Sequence, residues 1–120
     1  MSKSILVVED NPDAREMVSL VLTSAGFFVR TAEDGKEALD VVQDWQPDLI
    51  ITDIQMPNVD GIEMIKRVRE HFNSKAVPIV VMSAITSAAT QEALDAGANE
   101  SAPKPMQVRN LLSLVRQLLS

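Results

Sequence analysis

The 120-residue chain has no cysteine, so disulfides, thiol nucleophiles and thiolate metal sites are excluded and a reducing cytosol is the natural setting. Histidine occurs once, at His71, which leaves zinc and the softer metals without a ligand set. The four glycines, Gly26, Gly35, Gly61 and Gly97, are isolated, so the chain carries neither a Walker phosphate loop nor a dinucleotide fingerprint. Long apolar runs are also missing: Met1 to Ser4 leads into only Ile5 to Val8, too little for a signal peptide or a membrane span. Basic residues are the minority, 11 against 17 acidic ones, and the net charge of -6 argues against direct binding to nucleic acid or an anionic membrane.

What is present suits one globular domain, expected over residues 1–120 without linker, repeat or low-complexity stretch; 46% of the residues are hydrophobic, enough for a core at this length. Leu49 to Asp53 is an apolar run closing on a carboxylate, after Pro47 and before the turn residues Pro57, Asn58, Asp60 and Gly61. Such a run reads as a strand buried on both faces, because a strand with one wet face alternates. Ile5 to Val8 is a second buried strand ending in Glu9 and Asp10, with Asn11 or Asp10 as helix cap and Pro12 at the first helical position. The first helix shows a stripe of Ala14, Met17, Val18, Val21, Leu22 and Ala25 before Gly26. A short strand over Phe27 to Ala32 precedes a helix opened by Asp34 and Gly35, with Ala38, Val41, Val42 and Trp45 inward. Ile62, Ile65 and Val68 mark a third helix whose Lys66, Arg67 and Arg69 belong on its wet side. Pro78 to Met82 is the next strand, ending at Ser83. The fourth helix, about Ser87 to Ala96, offers mostly alanines and should bury the least area per turn. A weak fifth strand near Glu100 to Ala102 leads to Lys104, and the last helix carries Val108, Leu111, Leu112, Val115, Leu118 and Leu119.

Five strands alternating with five helices, built on apolar runs rather than alternating ones, predict an α/β fold with a parallel sheet covered on both faces, in the flavodoxin-like order 2-1-3-4-5. In such sheets polar sites form beyond the carboxyl ends of the strands, at the switch between the first and third. Glu9, Asp10 and Asp53 meet there, with Ser83 and Lys104 on the same rim. Converging carboxylates repel one another, and oxygen-only ligands favour a hard cation, magnesium best. A cation held by one or two carboxylates keeps positions open for a phosphoryl group, Lys104 and Ser83 can bind its remaining oxygens, and an aspartate can itself be the nucleophile.

With these residues assembled, the whole chain resembles the receiver domain of two-component response regulators. The likeness is carried by Glu9 and Asp10, Asp53 with Met56 and Pro57 behind it, Asp60 and Gly61, Ser83 and Ala84, Gly97 and Ala98, and Lys104 before Pro105. The resemblance implies that Asp53 takes a phosphoryl group from a phosphohistidine on a sensor histidine kinase or histidine phosphotransfer protein. It implies magnesium held by Asp10, Asp53 and the Gln55 carbonyl, with Glu9 acting through water. Lys104 and Ser83 would bind the phosphoryl group, Gln55 and Thr86 would flank the attacking water, and the bond before Pro105 would be cis. The family also implies a downstream protein partner on the fourth helix, fifth strand and fifth helix. It carries an aromatic three residues before the lysine, and Ser101 stands there instead; Ala102 and Pro103 likewise replace larger apolar residues. Output is therefore expected to rely on displacement of the alanine-rich fourth helix and its preceding loop.

Taken singly, Asp53 is a turn acid, Glu9 and Asp10 precede a helix, Ser83 is an ordinary hydroxyl at a strand end and Lys104 a solvated charge. Their coincidence on one rim favours a site. Trp45 reads as core packing, His71 as a complement to a helix dipole, and Arg15, Lys66 and Arg67 as solvated charges. Two other functions fit the residues less fully: a receiver-like docking module that signals without phosphorylation, and a magnesium-dependent phosphatase-type enzyme, which would need longer loops to enclose substrate.

Overall fold

The computed structural model describes residues 2–54, 56, 58–71, 77–83, 88–104 and 107–120, without the side chain of His71. In chain order the elements are β1 (Ser4–Val8), α1 (Pro12–Ser24), β2 (Phe28–Ala32), α2 (Gly35–Asp44), β3 (Leu49–Asp53), α3 (Gly61–His71), β4 (Ile79–Ser83), α4 (Ala88–Ala96), β5 (Glu100–Pro103) and α5 (Val108–Leu119). The strands form one sheet in the order β2-β1-β3-β4-β5, with every neighbouring pair parallel, as the apolar runs predict.

Side chains alternate across a strand, so an all-apolar strand feeds two cores. Leu6 and Val8 of β1, Ile50 of β3 and Ile79 and Val81 of β4 pack with α2, α3 and α4 through Ala38, Val42, Met64, Ile65, Val68 and Ala93. Ile5, Val7, Leu49, Ile51, Val80 and Met82 point the other way, onto Leu22 of α1 and Leu111 and Val115 of α5. Two helices thus cover one face and three the other. Asn11 caps α1, its side chain accepting from the Ala14 amide at 3.0 Å, with Pro12 at the first helical position. Asp34 caps α2 in the same way, accepting from the Glu37 amide at 2.8 Å, and Asp60 caps α3 by accepting from the Glu63 amide at 2.9 Å.

Several expected orientations differ. Met17 is 61% exposed rather than inward. Steps of three and four residues link it to Ala14 and Val21, yet at 3.6 residues per turn it lies about 140° round the helix from Leu22, which fixes the buried face. Val108 is exposed because it opens α5, one turn before Leu111, the helix's first buried residue. Trp45 does pack against the core beneath α2 as expected, though half-buried: it caps the end of α2, tilts against the exposed Phe28 ring at 6.2 Å, and carries the Arg30 guanidinium 5.0 Å from its own ring. Arg69 is not a wet-face charge. Its guanidinium donates to the carbonyls of Val77 and Gly97 at 2.7 Å and to Asn99 Oδ1 at 3.0 Å, joining the end of α3 to the α4–β5 turn. Arg67 stays exposed and pairs with Glu63 one turn away. β5 runs one residue further than expected, through Pro103, which sits opposite Ser83. β5 is an edge strand, and the next amide, Lys104, donates to the Ser83 carbonyl at 2.9 Å. By strand alternation the nitrogen of Pro103 faces the open edge, where no donor is required.

Candidate functional site

Parallel strands all end on the same side, and the register brings the carboxyl ends of β1, β3 and β4 level: Val8 lies beside Thr52, and Asp53 beside Met82. The next residue of each strand is therefore delivered to one hollow. Glu9 follows β1 and is fully buried, its amide held by the Ala32 carbonyl at 3.0 Å. Asp10, next along, is exposed. Asp53 closes β3 at 8% exposure. One carboxylate oxygen from each of the three lies within 4.8 Å of the others. Lys104 arrives from beyond β5, its ammonium 2.8 Å from Asp53 Oδ2 and 2.6 Å from Glu9 Oε1. Ser83, at the end of β4, is half-buried on the same rim and accepts the Lys104 amide through its carbonyl.

The two oxygens of Asp53 are differentiated. Oδ1 accepts the Ile54 amide at 2.8 Å, which fixes the side chain, while Oδ2 faces Lys104. Burial pushes the Glu9 carboxyl up from 4.5 to about 7. The Lys104 hydrogen bond opposes that rise, and the neighbouring Asp53 adds to it. For Lys104, burial alone would lower the ammonium, but its hydrogen bonds to Asp53 and Glu9, and their charges, outweigh burial and raise it. With Glu9 ionised, three carboxylates stand against one ammonium and leave the hollow short of positive charge. Beyond its ion pair with Lys104, the buried Glu9 Oε1 has no hydrogen-bond partner among the described residues. An oxygen-only donor set with a net negative excess fits a hard divalent cation such as magnesium.

Of the residues singled out in the sequence, Glu9, Asp10, Asp53, Ser83 and Lys104 share this rim. Gln55, Thr86 and the Pro105 bond lie outside the described residues. Ser101 is exposed on β5, opposite Val81 and two residues before the strand's end. Two contributors, Arg15 and Thr52, escaped the sequence reading. Arg15, taken for a solvated charge, donates to the Glu9 carbonyl at 2.9 Å and so buttresses the acidic pair; its place one turn into the helix that leaves Glu9 was the available signal. Thr52 donates its buried hydroxyl to the Asp53 carbonyl at 2.9 Å. Gly61 packs against that carbonyl so closely that a Cβ there would collide with it, and its amide donates to the Ile54 carbonyl at 2.8 Å.

The chain, a 2-1-3-4-5 parallel sheet that gathers acids and a lysine at its switch point, belongs to the response regulator receiver domain family, whose model matches residues 5–116. Among curated proteins it is similar to response regulator MprA of Mycolicibacterium vanbaalenii, 38% identical over 120 residues, and to MprA of Mycobacterium tuberculosis, 39% identical over the same length. Each match covers 99% of this chain and 51% of the relative, so the chain spans about half the length of these relatives. Among solved structures it resembles the chemotaxis protein CheY4 of Vibrio cholerae, with a TM-score of 0.94 and 37% identity over 99% of this chain and all of that one. It also resembles the receiver domain of a sensor histidine kinase from Pseudomonas aeruginosa, solved with a magnesium ion coordinated in the active site cleft. That match has a TM-score of 0.92 and 28% identity, and covers 99% of this chain and 98% of that one. Among the described residues no helix is long and apolar enough to cross a membrane.

Proposed function

We propose that residues 1–120 act as a single phosphorylatable receiver domain, in which Asp53 accepts a phosphoryl group from a phosphohistidine on a sensor histidine kinase or histidine phosphotransfer protein. The observation that carries this reading is the Lys104 ammonium between Asp53 and Glu9 on a rim where three carboxylates converge. Asp53 Oδ2, the oxygen not engaged by the Ile54 amide, attacks phosphorus; the bond from phosphorus to the donor's imidazole nitrogen breaks, and the leaving imidazole takes up a proton. Lys104 exchanges its carboxylate contact for a phosphoryl oxygen, and Ser83 supplies a hydroxyl donor to another. Asp10, Asp53 and the Gln55 carbonyl would hold magnesium, with Glu9 acting through water; when bound, the cation offsets the charge of the acids and of the incoming phosphoryl oxygens. The magnesium in the related Pseudomonas receiver supports this assignment. Catalysis is limited to the domain's own phosphorylation and dephosphorylation, in the cytoplasm, and output passes to a protein partner on the face of α4, β5 and α5.

A second reading, docking without phosphorylation, draws on Ser101, which leaves no aromatic ring to turn inward on β5. Incubation with magnesium and acetyl phosphate separates the two. The receiver reading expects a phosphoryl mass adduct that hydroxylamine removes and that D53N lacks. Wild-type protein without an adduct, and with a spectrum unmoved by beryllofluoride, would favour docking.

A further inference from the structure

On the far side of the Asp53 turn, away from Lys104, a second set of contacts ties the loop between β3 and α3 to the start of α2. Asn58 has a left-handed backbone, φ 67°, and its side-chain amide donates to Asp34 Oδ2 at 2.8 Å. The other oxygen, Oδ1, is the one that caps α2 at the Glu37 amide. Next to this contact the Gly35 amide donates to the Val59 carbonyl at 3.0 Å, and a Cβ on Gly35 would collide with that carbonyl. Gly61, at the end of the same segment, presses on the Asp53 carbonyl and bonds Ile54. Residues 58 to 61 are thus braced between α2 and the carboxyl end of β3.

We propose that Asp34, Gly35 and Asn58 are positioning residues for phosphoryl transfer: α2 holds the return leg of the Asp53 turn, and through Gly61 that leg sets where the Asp53 backbone and carboxylate stand. This rests on Asp53 being the acceptor. Asp34 serves both ends because a carboxylate has two acceptor oxygens, one for the helix cap and one for the loop. D34N keeps both contacts, because its oxygen can cap the helix while its NH2 donates to the Asn58 oxygen once that amide turns over, whereas serine keeps a capping oxygen and loses the tether. Glycine suits a left-handed backbone, so N58G removes the tether without backbone strain. G35A improves the helix propensity of α2 while displacing the Val59 carbonyl, so any loss comes from the loop.

The test measures three quantities on wild type, D34S, N58G, the double variant D34S/N58G, and G35A: the magnesium-dependent phosphorylation rate from acetyl phosphate, amide exchange over residues 53 to 61, and the thermal midpoint. N58G is expected to slow phosphorylation by about threefold to tenfold, on the scale of small misplacements at a reacting centre, and to speed exchange in the turn while the midpoint holds. The double variant should be no slower than the slower single variant, since both remove one contact, and G35A should be the slowest of the set. An N58G rate and turn exchange equal to wild type would overturn the tether, as would slowing that merely follows the midpoint from variant to variant. A wild type that takes no phosphoryl group would instead overturn the Asp53 reading, and with it the role given to the tether.

Discussion

Glu9 concentrates the electrostatic tension of the site. It is fully buried beside a second acid, with the Lys104 ammonium against its Oε1, and burial raises its carboxyl to about 7 in the folded state from 4.5 in the unfolded chain. A carboxyl raised in this way stabilises the fold fully below about pH 4.5. That stability is lost as pH rises through 7, because the unfolded state gives up its proton first. The whole effect is on the order of 3 kcal/mol by the ordinary conversion of pKa shift to free energy. Without added magnesium, urea unfolding of the wild type should therefore show stability falling between pH 5 and 8, and E9Q should flatten that slope. A wild-type slope matching that of E9Q would show that Glu9 does not titrate in this window. Asp34 shifts the opposite way, held below its usual value by the Glu37 amide and the Asn58 side chain, so its contribution is lost only in stronger acid and leaves this window clear.

At the scale of elements, the strands were legible and the helix faces less so. Leu49 to Asp53 and Ile79 to Ser83 declared themselves because a parallel strand covered on both sides needs apolar residues at nearly every position. A helix needs only one stripe, and where apolar residues are plentiful several stripes can be drawn; Met17 was placed on the wrong one. Met64, which the third helix's stripe omitted, is fully buried. Charge type suggests solvent for Arg69, whereas a long guanidinium at the end of α3 can reach carbonyls just before β4 and in the α4–β5 turn. R69M keeps much of the stem and removes every donor, leaving the Val77 and Gly97 carbonyls short of partners. It should cost about 2 kcal/mol in chemical denaturation, and a loss below a few tenths would deny Arg69 its part in holding the turn. That clamp grips the C-terminal end of α4, whose buried side chains are the small Thr90 and Ala93. With no large side chain wholly inside, α4 is the element expected to shift on beryllofluoride binding. Amide protection over residues 88 to 96 should change, and unchanged protection there would exclude α4 as the route of output.

For the whole molecule, the topology made the site readable before any coordinates. A 2-1-3-4-5 order gathers the strand ends, so acids at 9, 10 and 53 and a lysine at 104 could be placed on one rim from the element order alone. The α2 tether and the Arg15 buttress were not readable in the same way, because each depends on where a loop or first helical turn comes to rest. If the hollow holds a divalent cation, the folded state should be stabilised by mass action, by about 2.7 kcal/mol at a hundredfold excess over the dissociation constant. Since a cation on this rim favours the ionised form of nearby Glu9 and a proton there opposes it, the rise in thermal midpoint with magnesium should be larger at pH 8 than at pH 6, and D53N should diminish it. Equal rises at both pH values, unaltered in D53N, would place any magnesium effect away from this rim.

The most direct test is chemical identification of the residue that carries the phosphoryl group. Borohydride reduction of an acyl phosphate turns the modified aspartate into homoserine, which peptide mass spectrometry can place after treatment with magnesium and acetyl phosphate. The expected result is homoserine at position 53 alone; homoserine at another acid, or none in protein that is folded and magnesium-loaded, would contradict the account.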